Sequence, residues 1–350
     1  MTVEQVLSDA VGDGITPGAA AVVVTGDGRR RLALAGHLHR LEGAPAVDER
    51  TVWDLASLTK LLSTTLLVAR AVDRGTLALD LEPWPARWPG ITVAHLLRHD
   101  AGLPDWRPLF EAARKAGVCG LPAGARAVVA AALEVAPEAA PGARTLYSDV
   151  GFIALGALLE ERLGTPLDRA FAQAAGAYGA TGLRFVRLDT DGFHPAVPLV
   201  APTERCLWRR RALFGQVHDD NAFAMGGVAG HAGLFGSLLD VEAAAGFYLR
   251  ALTEPGEETL ASFAATGGER GLGFDRATPE GTTAGALSPR AVGHLGFTGT
   301  SLFMDPAPPG AAYVLLTNRV HESREHKQRI FGVRRAFHQA AAAWVASGSA

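Results

Sequence analysis

The sequence predicts an α/β (α+β) fold: a mainly antiparallel sheet flanked by helices, interrupted by an inserted all-α domain. Three observations point there. Apolar runs with strand character lie near both chain ends, at AAAVVVTG (19–26), RLALAG (31–36), SLFMDP (301–306) and AAYVLLTN (311–318). Between them, over roughly 76–265, alanine and leucine recur at helical spacing, with proline and glycine loops as dividers. Strands at both ends with helices between are the pattern of a split domain carrying an insertion. Residues 1–75 and 266–350 are therefore expected to form the α/β domain and 76–265 the insertion. The cleft between them is the natural place for a pocket.

The elements follow in order. TVEQVLSDAVG (2–12) has helical apolar spacing, and Gly26-Asp27-Gly28 reads as the turn of a hairpin, since no helix follows it that could cradle a phosphate. LTKLLSTTLLVARAVDRG (58–75) predicts a long helix with a glycine stop at Gly75. AVVAAALEVA (127–136), FIALGALLEERLG (152–164) and LLDVEAAAGFYLRAL (238–252) predict further helices. HLGFTGTS (294–301) opens a group of strands separated by tight turns, and RIFGVRRAFHQAAAAWVA (329–346) predicts a closing helix.

Composition narrows the function classes. At 350 residues with 33 Lys+Arg against 36 Asp+Glu, the net charge is −3, which gives no electrostatic footprint for nucleic acid. No dense basic block marks a membrane surface, and no apolar run approaches the roughly 18 residues of a spanning helix. The first thirty residues hold no basic side chain before Arg29, so no export signal is visible and a cytoplasmic location is expected. Cys119 and Cys206 form no metal pattern and read as reduced core thiols. His95 and His99 are spaced i, i+4, but the remaining ligands of a zinc site are missing, and both read as surface or packing residues. No metal or organic cofactor is implied, and the oligomeric state is not legible.

Only Lys60, Lys115 and Lys327 are lysine; every other Lys/Arg position is arginine. Arginine stays protonated, whereas a desolvated lysine can lose its proton and act as a base. Ser57 and Lys60 are three apart, so they meet on one face if a helix starts near Ser57. A serine hydroxyl becomes a useful nucleophile when such a base takes its proton. The helix dipole shifts a lysine by less than one pKa unit, whereas burial moves it by up to ~3–5 units, so desolvation is expected to dominate at Lys60. The same helix start aims backbone N–H groups at the place where an oxyanion would form. Alone, Ser-x-x-Lys also fits an N-capping serine beside a solvated lysine. The neighbouring segments decide.

Val52-Trp53-Asp54-Leu55-Ala56-Ser57-Leu58-Thr59-Lys60 resembles the nucleophile segment of the serine β-lactamase and penicillin-binding-protein family, which includes class C β-lactamases and related esterases. ITVAHLLRHDAGLPDW (91–106) resembles the loop after the first helices, and PGARTLYSDVGFIALG (141–156) the segment of the second catalytic motif, with Tyr147 as its tyrosine. GHLGFTGTSLFMDP (293–306) resembles the strand of the third motif, with His294-Leu295-Gly296 where many members have Lys-Thr-Gly. The segment 202–235 is similar to a linker of the β-lactamase-like esterase branch. The resemblance implies a β-lactamase/transpeptidase-like fold and a metal-free serine hydrolase that works through an acyl-enzyme. Ser57 would be the nucleophile, Lys60 the base and Tyr147 the proton relay to the leaving group, with the Ser57 and Phe297 amides as oxyanion hole.

Two positions depart from the family pattern. Tyr-x-Asn is Tyr147-Ser148-Asp149 here, and an ionised Asp149 accepts but cannot donate a hydrogen bond. It would also favour a protonated Lys60. His294 replaces a permanent cation with a group that is charged only when protonated. His294, Asp149, Gly296 and Asn221 are expected to bind substrate, and His218, Asp219 and His231 are candidates to line the cleft. The expected substrate is a small-molecule ester, amide or β-lactam. A carboxylesterase or β-lactamase-like hydrolase comes first, ahead of a D-alanyl-D-alanine carboxypeptidase or peptidase, an acyltransferase, and a non-hydrolytic penicillin- or muropeptide-binding module. No nucleic-acid or membrane partner is expected.

Overall fold

The structure, a computed structural model, describes residues 1–179, 182–188, 199–321, 324 and 327–348. Helix α1 (Val3–Gly12) leads into the hairpin of β1 (Gly18–Thr25) and β2 (Arg30–Gly36). After β3 (Trp53–Asp54) comes the helix that follows Ser57, wound as a π-helix over Lys60–Thr65 and as α2 over Leu66–Asp73. Helices α3 (Val93–Arg98), α4 (Phe110–Lys115), α5 (Pro122–Leu133), α6 (Asp149–Leu163) and α7 (Leu167–Ala174) precede the short strands β4 (Arg184–Phe185), β5 (Arg205–Cys206) and β6 (Arg211–Ala212). Then follow α8 (Asp220–Ala224), β7 (Leu234–Gly236), α9 (Leu238–Thr253) and α10 (Glu258–Ala265). Strands β8 (Arg270–Gly271), β9 (Phe274–Arg276), β10 (Val292–Leu295), β11 (Ser301–Asp305) and β12 (Ala311–Thr317) lead to α11 (Lys327–Ser347).

Both chain ends build one antiparallel sheet in the order β2-β1-β12-β11-β10-β9-β8. Its central strands are buried on both faces, which is why β1 and β12 read as unbroken apolar runs. Alternation assigns the faces. Ala19, Ala21, Val23, Phe303, Tyr313 and Leu315 pack with Val6 and Leu7 of α1 and Ile330, Val333 and Phe337 of α11. Ala20, Val22, Leu302, Met304 and Val314 turn the other way, onto Val241, Ala244 and Ala245 of α9 and the leucines of the helix after Ser57.

Helix α9 thus packs on β1, β11 and β12 although it lies inside the 76–265 stretch read as the insertion. Its small residues let it lie close on the strands, and one continuous core runs from there through Phe152 of α6 to Val128 of α5. That stretch also contributes strands: its β4 and β7 form a small sheet with β3 of the first segment, in the order β3-β7-β4. Cys206 is buried, Cys119 half-buried, and both are free thiols.

The π-helical stretch has a physical cause. The Tyr248 hydroxyl donates to the Leu61 carbonyl at 2.8 Å and the Tyr178 hydroxyl to the Leu62 carbonyl at 2.7 Å. Thr64 donates to Gly230 O at 2.6 Å. Buried hydroxyls inserted into the ladder are a recognised way to change helix winding, and such windings concentrate at functional sites.

Candidate active site

The turn before this helix holds Ala56 at φ +48°, a left-handed conformation uncommon for a residue with a side chain. The buried Asp54 carboxylate fixes it, accepting from Ala56 N at 2.8 Å and from His218 N at 2.6 Å. Burial pushes Asp54 above the usual carboxylate range, and the two amides and His218 offset part of that. The turn delivers Ser57 to the rim of a cavity of about 420 Å³, also lined by Tyr147, Asp149, His231, His294 and Phe297.

Lys60 lies one turn on, fully buried, and its ammonium has three neighbours. It donates to Ser57 Oγ at 3.0 Å and to His231 O at 3.0 Å, and its Nζ is 2.6 Å from Asp149 Oδ1. Two of the ammonium's three donors are thus spent on Ser57 and His231, and the Asp149 carboxylate lies at ion-pair distance. Burial alone would lower the Lys60 pKa. The Asp149 carboxylate, followed by Tyr147, outweighs it and holds Lys60 above its ordinary value. The expectation that desolvation dominates is therefore corrected: a carboxylate within contact distance of an ammonium out-competes burial.

Tyr147 precedes α6, whose first turn carries Asp149 and whose N-cap is Ser148. The Lys60 Nζ sits 4.9 Å from the Tyr147 ring centre, and the Lys60 and Ser57 side chains both favour ionisation of the phenol. Burial still raises its pKa above the ordinary value of a phenol, so Tyr147 is a neutral donor at rest. His99 lies tilted against Tyr147 with ring centres 4.6 Å apart and stacks on Phe152 at 4.9 Å. Its Nδ1 accepts from Ser148 N at 3.0 Å, which leaves the proton on Nε2. His95 lies apart from this, capping α3 through Thr92. The i, i+4 histidines thus do different work, and His99 supports the tyrosine from behind.

The third motif lies across the cavity on β10. Gly296 passes so close to the turn before Ser57 that a Cβ there would meet Thr300 Oγ1 at 2.0 Å and Leu55 O at 2.8 Å, which explains its glycine. Thr298 donates to Asp54 O at 2.8 Å and Thr300 to Leu55 O at 3.2 Å, tying the 296–300 turn to the segment before Ser57. Ser57 and Phe297 accordingly line one cavity. Among the described residues neither of their amides donates to a protein acceptor.

His294 is 2 % exposed, and its Nδ1 lies 2.8 Å from Leu295 O. A carbonyl only accepts, so Nδ1 carries the proton and Nε2 presents a lone pair. Burial lowers the His294 pKa, only partly opposed by Asp275. At neutral pH this position therefore offers no cation for a substrate carboxylate.

Other expected residues divide. His218, Asp219 and His231 line the cavity. Asp219 lies 2.7 Å from His231 Nε2 and also caps α8. Despite burial, His231 and that cap hold Asp219 well below the usual carboxylate range. Asn221 does not reach the cavity: its Oδ1 accepts from Phe110 N at 2.8 Å and its Nδ2 donates to Arg107 O at 3.0 Å. The expectation that Asn221 touches substrate is corrected, because both ends of its amide hold the α4 entrance. Asp54 and the cavity-lining Arg270 and Arg334 were not singled out in the sequence, and His99 was read there only as a surface or packing residue. Arg334 could have been found, since it sits in the apolar stripe of α11 with Ile330, Phe337 and Ala341. Among the described residues no cluster of His, Cys, Asp and Glu could hold a metal ion, and no helix is long and apolar enough to cross a membrane.

With this geometry in place, comparison with known proteins gives a consistent result. The family model described as Beta-lactamase matches residues 3–336. A protein of Bacillus subtilis (strain 168) named N-acetylmuramyl-L-alanine amidase is 31% identical over 365 residues, covering 91% of this chain and 80% of that protein. One of Escherichia coli (strain K12), named "Putative D-alanyl-D-alanine carboxypeptidase", is 30% identical over 312 residues, covering 77% of this chain and 70% of its own length. The solved structure of "EstCE1, a hydrolase with promiscuous acyltransferase activity" has the same fold, with a TM-score of 0.71 at 22% identity over 95% of this chain and 97% of that one.

Proposed function

The chain belongs to the Beta-lactamase family of serine hydrolases, and from that premise we propose that it cleaves a small-molecule ester or amide through an acyl-enzyme on Ser57. The observation that carries this reading is the contact set around Lys60, which joins Ser57, Asp149 and Tyr147 at one buried point.

Before Lys60 can act as a base it must give up one proton, and the receiver within reach is the Asp149 carboxylate at 2.6 Å. Substrate entering the cavity displaces water and favours this neutral pair over separated charges. Ser57 Oγ then attacks the carbonyl carbon while its proton passes to Lys60. The oxyanion accepts from the Ser57 and Phe297 amides. The tetrahedral intermediate collapses, the alcohol or amine departs with the Tyr147 proton, and Lys60 reprotonates Tyr147. Water repeats the sequence on the ester of Ser57 and releases the acid.

A second reading narrows the substrate to an amide in cell-wall peptides. It is favoured by the names of the two relatives at 31% and 30% identity. The neutral His294 favours a substrate without a carboxylate at that subsite. A panel of chromogenic esters, muramyl-L-alanine amides, D-alanyl-D-alanine peptides and a fluorescent penicillin, run on wild type and Ser57→Ala, separates the readings. Turnover of esters alone supports the first, and turnover of the muramyl amide above all others supports the second. Turnover that survives Ser57→Ala contradicts both.

A further inference from the structure

We infer that Arg334 is a positioning residue that polarises the peptide supplying one arm of the oxyanion hole. The inference rests on the acyl-enzyme reading above. The Gly296 carbonyl and the Phe297 N–H are the two ends of one planar peptide unit. Arg334 Nη2 donates to Gly296 O at 2.6 Å and to Thr300 O at 2.7 Å. Gly299 N–H donates to the same Gly296 oxygen at 3.0 Å.

A charge-assisted bond to a peptide oxygen draws electron density from the nitrogen and makes its N–H a stronger donor. In this chain that N–H belongs to Phe297, which lines the same cavity as Ser57. The effect matters most when negative charge develops on the substrate oxygen.

The surroundings of Arg334 fit an electrostatic role. It is buried on α11, and among the described residues no carboxylate lies within ion-pair distance of it. Burial and the neighbouring Arg319 lower its pKa to about 9, so it is still a cation at neutral pH. A buried guanidinium with no carboxylate at contact distance is costly, the more distant Asp275 offsets only part of that, and its Nη2 is engaged by this turn. Other groups already hold the turn: Thr298 and Thr300 bind the nucleophile segment, and Arg319 Nε donates to Phe297 O at 2.8 Å. Loss of Arg334 therefore leaves the peptide in place and removes its polarisation.

The test uses full-length wild type, Arg334→Met and Arg334→Lys, each acylated with p-nitrophenyl acetate carrying a ¹³C carbonyl. Difference infrared spectra give the stretch of the acetyl ester, and steady-state kinetics give kcat and KM. Removing a whole oxyanion donor costs about 10²–10³ in kcat, so weakening one should cost about tenfold. Arg334→Met should lower kcat by that amount with KM within twofold, and should raise the ester stretch. Arg334→Lys keeps the charge and should fall between, and it decides the question if the methionine variant does not fold. An unchanged stretch and kcat in the folded variant overturn the inference alone. Absence of any Ser57 ester in wild type overturns the acyl-enzyme reading and this inference with it.

Discussion

The Lys60 ammonium lies 2.6 Å from the Asp149 carboxylate, where the usual residue of the resembled motif is an uncharged asparagine. That contact raises the Lys60 pKa although the residue is fully buried. Asp149→Asn removes the attraction while keeping the shape. An opposite charge at this distance typically shifts a pKa by about 1–3 units. The Lys60 pKa should therefore fall by about that amount in Asp149→Asn, but with no carboxylate to receive its proton Lys60 must release it to water. Thus kcat/KM should rise with pH in the variant, while wild type, whose proton stays in the site, is flat over the same range. The same pH profile in both proteins would contradict Asp149 as the receiver.

Tyr147 is a neutral phenol because burial outweighs the adjacent cation. In the proposed mechanism it donates to the leaving group, and a positioned acid contributes about 10²–10⁴-fold. Tyr147→Phe should slow acylation within that range for a substrate with a poor leaving group such as an amine. It should slow it less for a nitrophenyl ester, whose leaving group needs no proton. Equal loss on both substrates would contradict the assignment.

His294 is kept neutral by burial, so the ratio of kcat/KM for a carboxylated ester over its neutral analogue should be flat from pH 8 to about 6.5. His294→Lys introduces a cation. A hydrogen bond to a charged group is worth roughly 1.5–3 kcal/mol, so the ratio should rise about tenfold or more at pH 8. A wild-type ratio that climbs steadily over the same range would mean that His294 takes up a proton and reads the substrate's charge.

His338 on α11 donates from Nδ1 to Thr282 O at 3.0 Å and to Arg334 O at 2.8 Å, and burial lowers its pKa to about 4. Unfolded, a histidine titrates near 6.5, so between about 6.5 and 4 the unfolded chain holds a proton that the folded chain does not. The stabilising term is complete above pH 6.5 and is lost as pH falls towards 4, by on the order of 3 kcal/mol. His338→Asn keeps a donor near the same place and should flatten the dependence of the urea midpoint on pH in that window. An unchanged slope would assign the acid sensitivity to other groups.

Much of this was legible in the sequence for identifiable reasons. Ser57, Tyr147 and the third-motif strand sit in contiguous segments that can be matched by residue order alone, and the strands β1 and β12 announce themselves as apolar runs. Partnerships between distant segments were not legible. Nothing near Asp54 in the chain tells of the His218 amide that it accepts from 164 positions away. Asn221 stands beside cavity residues in the chain, yet its amide faces α4, because the short helix α8 turns it away. The balance at Lys60 depended on one distance, and only the fold supplies it.

The most direct test of the central claim is the intact mass of the protein after brief exposure to p-nitrophenyl acetate, followed by peptide mapping. The account predicts one acetyl group, carried on Ser57, absent from Ser57→Ala, and formed far more slowly in Lys60→Ala. An acetyl group on another residue in wild type, or equal labelling of Ser57→Ala, would contradict it.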